Sequence, residues 1–339
     1  MDDEQNAPMD QLSAHLDRGW DLVARGDFAG AILSAQKCLE VDESSPDAHC
    51  LLGYIYAAEG RAEEALEQYR TALDLEEGYF DAMLNAVEVL IHPLRDFEEA
   101  LVLVNEALEC AETDDERADA LLLRIDALLA SGEHDEAKRT VRLLPDPPFG
   151  SSMLAFQVGR AHYEVGDLEN AEPALRSAVG DGAGPSDAYY YLGLVLDRKG
   201  DQRAALVAFL ESRERDLAAP PPPWSVPLKQ FERRVEAALR RLPERLGKLV
   251  EGALVVVSDL PGAEVVAEGV DPRLLVLPDD LSSRHETPAV GRIFVYQRNV
   301  ERIAAGLLQV EDEVTRALVE ELQAAFPGPQ AGAPAAEEG

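Results

Sequence analysis

Small and apolar residues recur along the first two-thirds of the chain with a period of 34 residues. The four strong sets are Gly19, Gly26, Ala31 and Cys38; Gly53, Gly60, Ala65 and Ala72; Gly159, Gly166, Ala171 and Ala178; and Gly193, Gly200, Ala205 and Ser212. Segments after the second glycine, such as GDFAGAILSAQKCLEVD and GRAEEALEQYRTALDLE, place apolar residues on one helix face. This pattern predicts helical hairpins. The first Gly and the Ala are expected where the two helices of a hairpin cross, because a larger side chain would push the helices apart. The second Gly is expected in the turn, where a positive φ carries no steric cost for glycine.

Two weaker repeats lie between the strong ones. Residues 96–112 read as a second helix, but the first helix before them lacks the Gly and runs into His92-Pro93, which predicts an altered turn. Residues 120–144 keep Gly132, have Ile125 in place of the first Gly, and end at the proline-rich residues 145–148. We therefore predict six hairpins, near residues 12–45, 46–79, 80–113, 115–148, 152–185 and 186–219.

On these residues the array, residues 11–218, resembles the tetratricopeptide repeat (TPR) family. The resemblance implies an α-solenoid whose first helices line a concave surface that binds a partner segment. Candidate partner-binding residues on that surface are Trp20, Tyr54, Asn85, Phe156, Arg160, Tyr163, Tyr190 and Arg198. The alternative is that the aromatic members of this set are core residues. Some members of the family hold a partner's C-terminal carboxylate with a set of Lys and Asn residues. This sequence lacks such a set.

The pattern changes after a proline-rich spacer at residues 219–225. Residues 226–250 read as an amphipathic helix broken near Pro243, residues 253–259, 274–278 and 291–297 as short strands, and residues 299–326 as helices. The sequence thus predicts a mainly α protein, with the solenoid followed by a small α+β domain at residues 226–328. Residues 1–10 and the Pro-, Gly- and Ala-rich residues 329–339 are predicted to be disordered.

The second domain carries blocks in a specific order. Its helix has Phe231, Val235, Ala238, Leu239, Leu242 and Pro243, and is followed by VVVSDLP at 255–261 and RIFVYQRNVE at 292–301. These blocks resemble the minimal zincin-like metallopeptidases of bacteria. That family ends in a helix with H-E-x-x-H, whose two His bind zinc while the Glu activates the metal-bound water. Here Glu320 and Ala324 stand at the two His positions and Glu321 at the general base. The resemblance therefore implies a degenerate domain with no catalytic residues, no metal and no cofactor.

Charge narrows the classes of partner. The net charge is −34, of which residues 226–328 contribute −4 and the first 225 residues −28. An acidic surface disfavours nucleic acid and anionic membranes and favours a basic or amphipathic protein segment. No run reaches the roughly 20 apolar residues of a membrane span.

The N-terminus, the cysteines and the Arg content indicate the cellular compartment and the type of organism. The acidic N-terminus is unlike a secretory signal, and three Cys without a CxxC suggest reduced thiols in a cytoplasm. Abundant Ala and 26 Arg against 5 Lys suggest a GC-rich bacterial source. The leading hypothesis is a non-catalytic protein-binding scaffold with a pseudo-metallopeptidase module. The alternatives are an active zinc metallopeptidase with an atypical site and an acidic TPR chaperone, and the oligomeric state stays open.

Overall fold

The chain divides into two compact units, Met1–Gly184 and Pro185–Gly339. The computed structural model describes residues 3–180, 182, 184–282 and 289–327. These residues form seventeen α-helices and one three-stranded sheet. The predicted tail, residues 329–339, lies outside the described residues. No described helix is both long and apolar enough to cross a membrane.

The first unit consists of five helical hairpins. Its helices are α1 (Asp3–Ala24), α2 (Phe28–Val41), α3 (Pro46–Ala58), α4 (Ala62–Leu75), α5 (Phe80–Val89), α6 (Phe97–Cys110), α7 (Asp114–Ser131), α8 (His134–Val141), α9 (Ser152–Glu164) and α10 (Leu168–Val179). The hairpins follow the predicted repeats, although α1 begins within residues 1–10, earlier than the predicted repeat start at residue 12. The first helices of successive hairpins, α1, α3, α5, α7 and α9, contact one another and form one layer.

Glycine allows the two helices of a hairpin to approach closely. A Cβ at Gly53 of α3 would lie 2.6 Å from Tyr69 Cε1 of α4, and one at Gly159 of α9 would lie 2.6 Å from Leu175 Cγ of α10. The matching alanines, such as Ala65, are fully buried. Gly60 in the turn has a φ of +76° and open space around it. The predicted roles of the first Gly, the Ala and the second Gly are therefore confirmed.

The third and fourth hairpins depart from this plan where the sequence predicted. Helix α5 continues into a π-helical turn, Leu90–Leu94, which contains Pro93, and Arg95 follows with a left-handed φ of 55°. Pro93 lacks an N–H and cannot donate the next hydrogen bond of an α-helix. The backbone hydrogen bonds of this turn therefore span five residues instead of four. In the fourth hairpin α8 is short and ends before the proline-rich residues 145–148.

The second unit joins one hairpin to a small α+β fold. Its elements are α11 (Ser186–Arg198), α12 (Gln202–Ala218), α13 (Leu228–Arg240), α14 (Glu244–Leu249), β1 (Leu254–Ser258), α15 (Ala263–Ala267), β2 (Val276–Ser282), β3 (Ala289–Tyr296), α16 (Gln297–Ile303) and α17 (Val310–Ala325). In the sheet β3 is central, parallel to β1 and antiparallel to β2. Phe231 and Val235 of α13 are fully buried in one core with Leu318 of α17 and Ile293 of β3. The predicted mainly α fold with a small α+β part is confirmed.

The proline-rich residues 219–225 pack within this second unit. Trp224 contacts the core of the α+β part. Ser225 Oγ donates to Glu301 Oε1 at 2.8 Å, and Arg298 Nη1 donates to the Ala219 carbonyl at 2.7 Å. The sixth hairpin and the α+β part therefore belong to one compact unit, and the predicted array, residues 11–218, runs across the division between units.

Candidate functional site

Equivalent positions of the first helices place exposed aromatic and acidic side chains in a row. Trp20, Tyr54 and Glu88 are 34 residues apart, on α1, α3 and α5. The rings of Trp20 and Tyr54 meet edge to face, with centroids 5.3 Å apart, and each residue remains 40 % exposed. An exposed aromatic pair on a helical layer offers rigid apolar contact area to a partner.

A cavity of about 310 Å³ lies beside this aromatic pair. It is lined by Tyr54, Ala57, Ala58, Tyr69, Asn85, Glu88, Val89, His92 and Pro93. The π-helical turn supplies His92 and Pro93, so the irregularity in α5 shapes one wall. The lining is partly apolar, with several polar groups around one space, as in many ligand sites.

In the fourth and fifth hairpins, the positions that correspond to Tyr54 are occupied by Asp126 and Arg160, which carry opposite charges. Arg160 Nη2 lies 3.1 Å from Asp126 Oδ2, and Arg160 Nε lies 3.6 Å from Glu164 Oε1. Burial raises the pKa of Asp126, and the charges of Arg160 and His92 oppose this rise. Burial also raises the pKa of Glu164, with Arg160 opposing and Asp126 adding to the effect. One arginine thus faces two carboxylates, which leaves this stretch acidic.

The family profile described as tetratricopeptide repeat matches residues 16–79 and 157–219. These segments hold the four strong sets of small residues and the hairpins that carry Trp20, Tyr54 and Arg160. The two segments are tetratricopeptide repeats. No curated protein has a significantly similar sequence.

Several solved structures resemble part of the chain. Pseudomonas aeruginosa pilF is 19 % identical, with a TM-score of 0.49 over 61 % of this chain and 93 % of that chain. PilW, a type IV pilus biogenesis factor, is 16 % identical, with a TM-score of 0.49 over 61 % of this chain and 94 % of that chain. TTC0263, a TPR protein of Thermus thermophilus, is 18 % identical, with a TM-score of 0.44 over 55 % of this chain and 98 % of that chain. At these values the likeness says nothing about the function of this chain.

The TPR hairpins distribute the predicted partner-binding residues unevenly. Trp20, Tyr54 and Asn85 come together at the aromatic pair and its cavity. Arg160 lies further along the layer in its ion pairs, and Tyr163 is half-buried on the same helix, α9. Phe156 is 8 % exposed and counts among the core residues.

Tyr190 and Arg198 belong to the sixth TPR hairpin, in the second unit. The Tyr190 hydroxyl donates to Asp271 Oδ2 at 2.9 Å, and the Arg273 guanidinium lies 4.3 Å from the centre of its ring. Tyr190 is thus engaged by the α+β part of the same unit. Arg198 is exposed at the end of α11. A second cavity, of about 600 Å³, lies nearby, between the sixth hairpin and residues 266–271.

A buried ion cluster also joins the sixth TPR hairpin to the α+β part. The Asp216 side chain is 5 % exposed and lies 2.6 Å from Arg302 Nη2 and 3.2 Å from Arg273 Nε. Ser186 Oγ donates to Asp216 Oδ1 at 2.5 Å. Burial acts to raise the pKa of Asp216, but Arg302, Ser186 and Arg273 outweigh it and the pKa is lowered. The cluster is fully paired, as a buried carboxylate requires.

The helix that aligns with the H-E-x-x-H motif is α17. Glu320 is exposed and lies 3.1 Å from Arg316, which also pairs with Glu313. Glu321 is half-buried, and burial together with the charge of Glu320 raises its pKa. Ala324 is exposed and offers no donor atom to a metal. Within the described part of the chain, no three His, Cys, Asp or Glu side chains are grouped so that they could hold a metal ion.

Four residues of the first unit's site were not among the predicted ones: Tyr69, Glu88, His92 and Asp126. The 34-residue period could have found Glu88, because it continues the series of Trp20 and Tyr54. The same spacing relates Asp126 to Arg160. Tyr69 lies on a second helix, and its approach to Tyr54 follows only from the packing of α3 against α4.

Proposed function

We propose that the chain is a non-catalytic protein-interaction scaffold whose first unit binds a basic or amphipathic protein segment. The aromatic pair of Trp20 and Tyr54, exposed beside a cavity that carries Glu88, is the observation on which this rests. Rigid aromatic rings supply contact area at low entropic cost, and the adjoining carboxylate selects against acidic partners.

The charge of the whole unit supports a basic partner. Residues 1–184 carry 13 Lys and Arg against 40 Asp and Glu. A field of this sign raises the association rate of a cationic segment and lowers that of an anionic one. A cytoplasmic location for this interaction stays a prediction from the cysteine usage.

We further propose that the α+β part of the second unit contributes binding surface rather than peptide hydrolysis. Its resemblance to the zincin-like metallopeptidases rests on the sequence blocks alone. The residues at the ligand positions support a non-catalytic role, because Ala324 has no ligand atom and Glu320 is paired with Arg316. Stoichiometric zinc on the purified full chain, lost on Glu321→Ala, would contradict this role.

Peptide selection tests the main proposal. The full chain is offered a pool of random-sequence peptides displayed on phage, in parallel with the variant Trp20→Ala/Tyr54→Ala and the control Leu33→Ala. Leu33 is 61 % exposed on α2, a second helix, and lies outside the site. We expect the wild type and the control to enrich the same basic sequences and the double variant to lose them. Equal enrichment by the double variant would rule out the aromatic pair as the binding surface.

A further inference from the structure

The cavity beside the aromatic pair has the chemistry of a receptor for one particular kind of side chain. Resting on the function proposed above, we infer that the cavity between Tyr54, Tyr69, Asn85 and Glu88 receives a Lys or Arg side chain of the bound segment. Its lining combines a tyrosine hydroxyl, acceptor oxygens and apolar walls around one space.

Tyr69 adds a hydroxyl group to the polar lining of the cavity. The residue is 1 % exposed and lines the cavity. Within the described residues its hydroxyl makes no hydrogen bond. Burial raises the pKa of Tyr69, and the neighbouring Cys50 and Glu88 add to this, so the hydroxyl stays protonated. An N–H donor of a bound side chain could replace water at this hydroxyl oxygen and donate to one of its lone pairs.

The other polar groups at the cavity are suited to a cation. Glu88 contributes a carboxylate, Asn85 an amide oxygen, and Tyr54 a partly exposed aromatic ring. A Lys ammonium carries three N–H donors and no acceptor, and an Arg guanidinium carries five donors on a plane that stacks on aromatic rings. Both cations are attracted to a tyrosine face as well as to a carboxylate.

The same lining disfavours other occupants. The described lining of the cavity includes no Lys or Arg, so an acidic side chain or a C-terminal carboxylate would meet the Glu88 carboxylate with only the imidazole of His92 to offset the repulsion. A purely apolar side chain would cover the Tyr69 hydroxyl and leave it unsatisfied. Ala57, Ala58, Val89 and Pro93 supply the apolar walls that the methylene stem of a Lys or Arg can contact.

Peptides with one fixed central residue test this inference on the full chain. The probe is an immobilised set of peptides with random flanks and a central Lys, Arg, norleucine, Gln or Glu. The variants are Glu88→Gln and Tyr69→Phe, and the matched control is Glu63→Gln, an exposed carboxylate on α4 outside the cavity. Tyr69→Phe keeps the ring that packs on Gly53, so its fold, checked by circular dichroism, is expected to stay intact.

We expect the wild type and Glu63→Gln to retain peptides with central Lys or Arg about tenfold better than norleucine, as a charge-assisted hydrogen bond predicts. Glu88→Gln should abolish this preference and Tyr69→Phe should reduce it. Binding without a basic preference, a preference for central Glu, or a preference unchanged in both variants would overturn the inference and leave the proposed function standing. No peptide retained above the Trp20→Ala/Tyr54→Ala background would overturn the proposed function itself, and the inference with it.

Discussion

The ring of Tyr69 lies directly against Gly53, so that a Cβ on Gly53 would fall 2.6 Å from Tyr69 Cε1. This contact closes the α3–α4 hairpin and holds the Tyr69 hydroxyl at the cavity. We expect Gly53→Ala to lower the free energy of unfolding by about 1–3 kcal/mol, the usual cost of an inserted methyl group in a packed core. Urea unfolding of the full chain, followed by circular dichroism, measures this change.

Gly60→Ala provides the contrast for that prediction. A Cβ at Gly60 meets nothing within 4 Å, but φ is +76°, so the cost of about 1–2 kcal/mol comes from the backbone alone. Asn tolerates this conformation, and Gly60→Asn should therefore cost less than Gly60→Ala. An Asn side chain relieves no clash, so Gly53→Asn should be at least as harmful as Gly53→Ala. Unchanged stability in Gly53→Ala would contradict the close contact.

Much of the fold follows from local steric rules that the sequence displays. Gly53 and Gly60 differ in role, one at a helix crossing and one in a turn, and their spacing alone distinguishes them. The apolar face of α13 can also be predicted from the sequence, because apolar residues such as Phe231 and Val235 recur at helical spacing. Pro93 predicts an irregular turn after α5, but the consequence of that turn, a cavity wall made by His92, depends on the stacking of α5 against its neighbours.

The candidate sites were less predictable than the fold, because they depend on contacts distant in sequence. Nothing in the sequence distinguishes Asp216, Arg273 and Arg302 from other charged residues, yet they form an ion cluster around a buried carboxylate. Tyr190 occupies a groove position in its repeat, but the α+β part engages it through Asp271. No period in the sequence signals either arrangement.

The Asp216 cluster should be a main source of stability in the second unit. Asp216→Asn removes the buried charge that Arg273 and Arg302 face, and leaves the buried Arg273 only its ion pair with the half-exposed Asp187. We expect a loss of about 3 kcal/mol in the free energy of unfolding of this unit, as for other broken buried ion pairs. Hydrogen exchange of residues 185–327 measures it locally. The control is Glu214→Gln, whose side chain is 63 % exposed and which should change stability by less than about 1 kcal/mol. Equal effects of the two substitutions would contradict the account.

The cluster also explains where the folding unit begins. A fragment of residues 226–339 lacks α11 and α12, and therefore lacks Asp216, Ser186 and Tyr190. We expect this fragment to be unfolded or only loosely packed, and a fragment of residues 185–339 to fold. Thermal unfolding by circular dichroism compares the two, with cooperative melting expected only for the longer one. A cooperative transition in the shorter fragment would place the boundary of the folding unit at the proline-rich segment instead.

His162 makes the stability of the first unit depend on pH. It is 8 % exposed, and its Nδ1 lies 3.1 Å from Asp167 Oδ2. Burial lowers the pKa of His162 from its usual 6.5, although Asp167 and Asp146 oppose the shift. The unfolded chain therefore binds a proton below about pH 6.5 that the folded chain does not yet bind, and stability falls as the pH falls through this range.

The variant His162→Asn isolates this contribution. Its amide can still donate to Asp167, but it does not titrate. As the pH falls from 7.5 towards the pKa of His162 in the folded chain, the free energy of unfolding of the wild type should decrease more steeply than that of the variant. The difference in slope should reach at most about 1.4 kcal/mol per pH unit. Urea unfolding of both proteins over this range measures the difference. Parallel pH profiles for wild type and variant would show that His162 titrates alike in the folded and unfolded chain.

The most direct test of the binding account is a double-mutant cycle across the cavity. A peptide with central Lys, selected by the wild type, and its norleucine counterpart are titrated calorimetrically into the wild-type full chain and into Glu88→Gln. We predict a coupling free energy of about 1.5 kcal/mol or more between Glu88 and the peptide Lys, decreasing at high salt. A coupling of zero, with Lys and norleucine peptides bound equally by both proteins, would contradict the claim that the first unit recognises a basic segment.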